Sequence, residues 1–259
     1  MTPGLGIAAV SIWAVFTFLW IRQRQTRNAT SVDAAWALGI GLQTAYLAWS
    51  AEGLPLRRAL IGGLVGIWSL RLAGHLYFDR VRTGVEDGRY ARFRREWSPA
   101  VFYLFYMVQG LLVFLLPLTF RAALGSPAPF PSRWDAIGLG LWALALFGES
   151  LADRQLARFR ADPANKGKTC RVGLWRFSRH PSYFFEWLLW CAYVPMSLGA
   201  PGGGWSLAGP LLLLVLLTRV SGIPPTEAQA LASRGDDYRD YQRTTSAFVP
   251  WFPRRGPRP

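Results

Sequence analysis

Histidine, cysteine and lysine are scarce in this chain of 259 residues, and the first two scarcities each remove a class of function. The two cysteines, Cys170 and Cys191, are too far apart in sequence for a Cys-x-x-Cys pair, so neither a redox dithiol nor a thiolate metal site is expected. The two histidines, His75 and His180, cannot build a zinc site without carboxylate help, which disfavours a metal enzyme. No Gly-x-Gly-x-x-Gly string and no Walker loop occurs, so a nucleotide, if bound, is not held by a Rossmann or P-loop fold. The neutral start Met1-Thr2-Pro3-Gly4 lacks the charges of a secretory signal, and no small-residue cleavage site follows. The first apolar run therefore reads as a retained span.

Apolar side chains are what the chain has in quantity. They make up 51% of it and fall in blocks of about twenty residues between charged loops, the pattern of a polytopic, all-α membrane protein. Spans are expected near 4–21, 32–50, 59–78, 100–120, 134–152, 181–200 and 205–222. That makes seven transmembrane helices in one continuous domain, with a tail over 223–259. Net charge is +14, and its placement decides its meaning: 24 of the 29 basic residues fall in segments 22–30, 79–99, 153–180 and 219–259. The positive-inside rule then sets the N-terminus outside and the tail in the cytoplasm. Lysine supplies two of those 29 residues, an arginine bias that points to a GC-rich bacterial genome and hence to a bacterial inner membrane. A basic inner face suits anionic lipid headgroups or a phosphorylated cofactor, and a nucleic-acid partner is not expected.

Ser126–Ser132 and Pro201–Gly204 read as plain connectors, and the glycines at 62, 63 and 66 as a close helix-packing stripe. The tail reads as helical after Pro224-Pro225. It either lies along the interface, anchored by Trp251 and Phe252, or covers a ligand.

The segment 173–186 carries the strongest chemical signal, because it moves from a basic loop into an apolar helix while bringing Arg176, Arg179, His180, Ser182, Tyr183 and Glu186 with it. A carboxylate entering hydrocarbon costs several kcal/mol, on the order of 3, unless it is partnered. Pro181 suits the first helical position, and a helix start flanked by Arg179 and His180 is an anion site. Ser182, Tyr183 and Glu186 project from one helical face. The end of the fifth span repeats the theme with Glu149, Asp153, Arg154 and Arg160. The third span carries Arg71 and His75, four apart. Asp33 follows Ser31 at the start of the second span, where it serves either as a helix cap or as part of a site.

The string 173–186, the Ser31-Val32-Asp33 entry and the Gly235-Asp236-x-Tyr238-x-x-Tyr241 tail resemble a bacterial family of membrane proteins of unknown function, domain of unknown function 1295. That family is grouped with the steroid 5-alpha-reductases and, more distantly, the sterol reductases. The resemblance implies a seven-helix, steroid-reductase-like bundle with NADPH in a cytoplasm-facing cavity and hydride transfer to an activated carbon–carbon double bond of a lipid. It implies cofactor roles for Arg82, Asp153, Arg160, Ser182 and Glu186, with Tyr238 closing over the nucleotide. Arg179 and His180, from the anion site above, and Tyr183, from the helical face of Ser182 and Glu186, are expected beside them, and His75 and Asp33 are the candidates for the acid. Two departures stand out. Ser182 replaces the family's usual Asn, and the Gln-Glu pair that holds the ketone in true steroid reductases has no counterpart, while their catalytic Tyr aligns near Trp68. The same Arg-His-Pro-x-Tyr start and Gly-x-x-Tyr-x-x-Tyr tail also resemble isoprenylcysteine carboxyl methyltransferases, which use S-adenosylmethionine. A non-catalytic lipid-binding protein is the third expectation.

Overall fold

A computed structural model describes residues 3–254. Among them the chain is all helical, and its one extended pairing is a parallel bridge between Ser178 and Ser246. It divides into two compact units, Met1–Ser132 with Ser197–Ser206, and Arg133–Met196 with Leu207–Pro259.

The first unit contains α1 (Pro3–Thr26), α2 (Ser31–Ser50) and α3 (Pro55–Leu76), which runs on into a π-helical turn, Tyr77–Val81. The short α4 (Gly88–Glu96) precedes α5 (Pro99–Leu115), which tightens into a 3-10 turn, Leu116–Phe120, and ends in α6 (Arg121–Leu124). Proline opens α3 and α5 at a position where its missing N–H costs nothing, and the Ser98 hydroxyl accepts from the Val101 N–H to complete the start of α5. The buried face of α2, with Ala37, Ile40 and Leu47, packs on Ile61, Val65 and Trp68 of α3. Glycines on α2 set how closely it packs. A Cβ on Gly41 would come 2.3 Å from Ser69 Oγ, and one on Gly39 2.7 Å from Val113 Cγ1 on α5. The stripe expected to do this does not: Gly63 and Gly66 face open space, and Gly62 approaches Ala48 alone, at 3.2 Å. The expected plain connector at 126–132 is also more than that. Buried Arg57 donates to the carbonyls of Ser126, Ala128 and Pro129 at 2.8–3.3 Å, with the Phe130 ring beside it.

The second unit contains α7 (Arg133–Ala161), α8 (Pro181–Cys191), α9 (Tyr193–Met196), α10 (Ala208–Val215) with a π-helical turn at Leu216–Val220, α11 (Ile223–Arg234) and α12 (Asp236–Thr244). Helices α7 and α8 run antiparallel, with Ser182 level with Asp153, Phe185 with Gly148, and Ala192 with Gly138. Gly148 admits the Phe185 ring, since a Cβ there would lie 2.4 Å from Cε1. Gly235, at φ 54°, reverses the chain between α11 and α12 in a conformation that favours glycine.

Among the described residues five helical stretches are long and apolar enough to cross a bilayer: Gly4–Thr26, Pro55–Val81, Pro99–Leu124, Arg133–Ala161 and Gly203–Arg234. The chain is an integral membrane protein. Its outward apolar side chains agree with this, since Ile7, Val10, Trp13 and Phe18 on α1 are each at least 60% exposed. Of the seven expected spans, two fall outside the five. The second is α2, whose 20 residues include Asp33, Gln43 and Thr44. The sixth breaks into α8 and α9, because Pro195 has no N–H to give the Cys191 carbonyl.

Candidate functional site

In the second unit the loop before α8 is pinned to α7. Trp175 Nε1 donates to the Ala152 carbonyl, and Gln155 Oε1 accepts from the Leu174 N–H, both at 2.9 Å. Gly173 has φ 57°, and any Cβ there would strike the Gln155 amide, which is why the string begins with glycine. The tail then folds back over this loop. Tyr241 donates its hydroxyl to the carbonyls of Trp175 and Ser178, Arg171 pairs with Asp237 and Asp240 at 3.0 and 2.8 Å, and the Trp251 N–H reaches the Phe177 carbonyl. Burial opposes the charge on Asp237, but the Thr169 N–H and the Arg171 guanidinium hold its carboxyl below the usual carboxylate range.

At the centre of the clasp lies Glu227. Its Oε1 accepts from Arg179 Nε at 2.7 Å, His180 Nε2 at 3.1 Å and the Tyr238 hydroxyl at 3.3 Å, and its Oε2 from Gln242 Nε2 at 2.7 Å. Arg179 also donates from Nη1 to the Gln242 and Thr245 carbonyls. Burial pushes the His180 imidazole below its ordinary value despite the neighbouring carboxylate, so the ring is neutral at pH 7 with its proton on Nε2, facing Glu227. That ring stacks on Tyr183, and the Tyr183 hydroxyl meets Thr226 Oγ1 at 3.2 Å. Burial, then the charge of Glu227, raises the Tyr238 phenol, which stays a donor.

Beside the clasp, Ser182 Oγ donates to Asp153 Oδ1 at 2.8 Å, joining α8 to α7. Arg160 lies exposed two turns further along α7, and half-buried Glu186 lies one turn further along α8. The antiparallel register sets Glu186 level with buried Glu149.

Asp33 belongs to a second cluster, in the first unit. Its Oδ1 accepts from the Tyr90 hydroxyl, its Oδ2 from Arg89 Nη2 at 3.1 Å, and Arg80 stands 3.7 Å away. Asp87 caps α4 and pairs with both arginines, and its own N–H donates to Thr30 Oγ1. Burial opposes the Asp87 charge, but Arg89 and Arg80 hold it below its ordinary value. Burial, then Asp33, raises the Tyr90 phenol well above its own. Glu86 adds the Ala29 N–H and Arg94. Asp33 is therefore no cap: Thr30 holds the N-cap position, and the carboxylate sits within the first turn of α2. His75 is half-buried in the last turn of α3 and makes no hydrogen bond among the described residues. Arg82 is exposed just beyond the π-helical turn.

The family described as Protein of unknown function (DUF1295) matches residues 19–245. The chain belongs to this family. The match takes in the Asp33 cluster and the Glu227 clasp and stops short of Trp251 and Phe252. An uncharacterized protein of Schizosaccharomyces pombe is 30% identical over 209 residues, which cover 68% of this chain and 59% of that protein. The chain thus spans less than two thirds of that relative's length. No solved structure matches it.

The structure brings Arg179, His180 and Tyr238 around one carboxylate, stacks Tyr183 on His180 and joins Ser182 to Asp153. Sequence reasoning passed over that carboxylate. Glu227 stands 48 residues from Arg179, and its one local sign is an acid just after Pro224-Pro225 in a segment that is otherwise apolar or neutral up to Arg234.

Proposed function

We propose that this protein is a membrane reductase that uses NADPH to saturate an activated carbon–carbon double bond of a steroid-like or other lipid enone. The observation that carries the reading is the α7–α8 strip. Asp153 is bonded to Ser182, and Arg160 lies seven residues on, about 10 Å along the same face. This donor set fits a phosphorylated dinucleotide: a carboxylate and a hydroxyl for ribose, and a guanidinium for phosphate. Bound NADPH supplies a hydride. Arg179 and His180 act through Glu227, keeping Tyr238 and the tail tied to the start of α8, where a group closing over the nucleotide belongs. The resemblance to the steroid 5-alpha-reductases adds the lipid enone and the reaction class.

Of the two candidate acids, Asp33 has both oxygens occupied as acceptors and serves as an anchor for the 79–96 segment. His75 is the better proton donor, since its ring is half-buried, uncommitted among the described residues and next to a π-helical turn, a feature frequent at functional sites. The basic segments support a cytoplasmic tail and an outward N-terminus, and the arginine bias supports a bacterial inner membrane.

The test is a titration of the detergent-solubilised protein with NADPH, NADH and S-adenosylmethionine, followed by nicotinamide fluorescence and thermal shift. NADPH binds saturably, and Ser182→Ala weakens it by about fivefold, the worth of one hydrogen bond. A response to the methyl donor alone, or to none of the three, rejects the reductase.

A further inference from the structure

A cleft of about 460 Å³ opens between Arg179 and the tail segment from Gln242 to Arg254. Among the described residues three arginines line it, Arg179, Arg243 and Arg254, together with hydroxyl-bearing Thr244, Thr245 and Ser246, and no Asp or Glu does. The charge of Arg179 is balanced by Glu227. Arg243 is balanced in part, because Asp240 stands 3.6 Å away and gives its other oxygen to Arg171. Arg254 pairs with no carboxylate among the described residues, and its backbone N–H is held by the Thr244 carbonyl at 2.8 Å. At the rim, Val249, Trp251 and Phe252 are 53%, 69% and 77% exposed. In water that arrangement leaves three neighbouring apolar side chains unburied beside a surplus of positive charge. At a bilayer surface both features are satisfied at once, the rings among the upper acyl chains and the guanidinium groups at the phosphates.

We propose that this cleft is a headgroup site for an anionic phospholipid. The phosphodiester sits against Arg243 and Arg254, and Trp251 and Phe252 enter the interface beside it. A zwitterionic headgroup brings its own cation to the same place and binds less well. The inference does not rest on the reductase reading, and its decisive residues lie on the tail rather than on the α7–α8 strip.

The full-length protein in neutral detergent is titrated with short-chain phosphatidylglycerol, phosphatidylcholine and glycerol 3-phosphate, with bound molecules counted by native mass spectrometry. Phosphatidylglycerol binds saturably and ahead of the other two. Arg243→Ala and Arg254→Ala each weaken it by about fivefold, and the double variant by about 25-fold. Trp251→Ser with Phe252→Ser weakens the lipid and leaves glycerol 3-phosphate unchanged, which keeps the test sound if the arginine variants do not fold. Equal binding of the two lipids, or undiminished phosphatidylglycerol binding in the double variant, overturns the site. Glycerol 3-phosphate binding as tightly as the lipid overturns the lipid assignment and makes the cleft a pocket for a soluble phosphate.

Discussion

Replacing Glu227 by Ala removes the acceptor shared by Arg179, His180, Tyr238 and Gln242, and the structure says how much that costs. The side chains of Arg179 and His180 keep 11% and 5% exposure, so water cannot replace the lost oxygens without opening the clasp. Removing one partner of a buried ion pair costs about 3–5 kcal/mol. Arg179 retains the Gln242 and Thr245 carbonyls, which sets the cost near the low end, about 3 kcal/mol. On the equilibrium between docked and undocked tail, that is a factor of about 100. Hydrogen exchange followed by mass spectrometry in detergent reads it directly. Amides of α12 and of residues 246–251 exchange about 100-fold faster in Glu227→Ala, while those of α2 and α3 keep their rates. Glu227→Gln leaves an acceptor for Arg179 and His180 but sets an amide NH2 against that of Gln242, so its effect is smaller, about 1–2 kcal/mol. If α12 exchanges at the wild-type rate in Glu227→Ala, the clasp is not held at this carboxylate and the reasoning is wrong.

Three further outcomes follow from the same geometry. Because burial lowers the His180 value below 6.5, the docked tail prefers the neutral ring; its stabilisation is complete above pH 6.5 and is lost as pH falls from there through the docked value. Intrinsic-rate-corrected exchange of α12 therefore rises on acidification below pH 6.5, and His180→Asn abolishes that rise. Tyr90→Phe removes a donor to Asp33 but leaves both arginines, so it costs about 1–2 kcal/mol, and protease cleavage within 79–88 reports the loosened loop. Gly41→Ala forces a methyl group onto Ser69 and lowers stability by about 1–3 kcal/mol in thermal unfolding, whereas Gly66→Ala, which meets nothing, leaves it unchanged or raises it by up to about 1 kcal/mol.

Hydropathy located most of the helices, and where it ended them too early the cause is the same. The expected spans 4–21 and 134–152 stop where arginine or aspartate begins, yet α1 and α7 continue to Thr26 and Ala161. Apolarity ends at the first charge, but backbone hydrogen bonding does not, and long arginine side chains at a helix end reach outward to water. Proline marked the start of α8 correctly, because its effect is local, whereas α3 begins at Pro55, four residues before the expected span. The proline at 195 acted just as locally and was lost inside an apolar run. The packing glycines were placed on the wrong helix, since a small-residue stripe shows that an approach is allowed and not which partner makes it.

The candidate site divides in the same way. Arg179, His180, Ser182 and Glu186 stood out because polar groups entering hydrocarbon are costly wherever the rest of the chain goes. Glu227 and Tyr90 did not, for their meaning depends on a tail and a loop that fold back from 48 and 57 residues away. Composition and the position of each charge and proline determined that this is a helical membrane protein with its cations gathered in particular loops, because transfer from water to lipid and the geometry of proline act residue by residue. Which carboxylate each arginine meets was decided by tertiary structure, because an ion pair depends on distance in space and the sequence sets only separation along the chain.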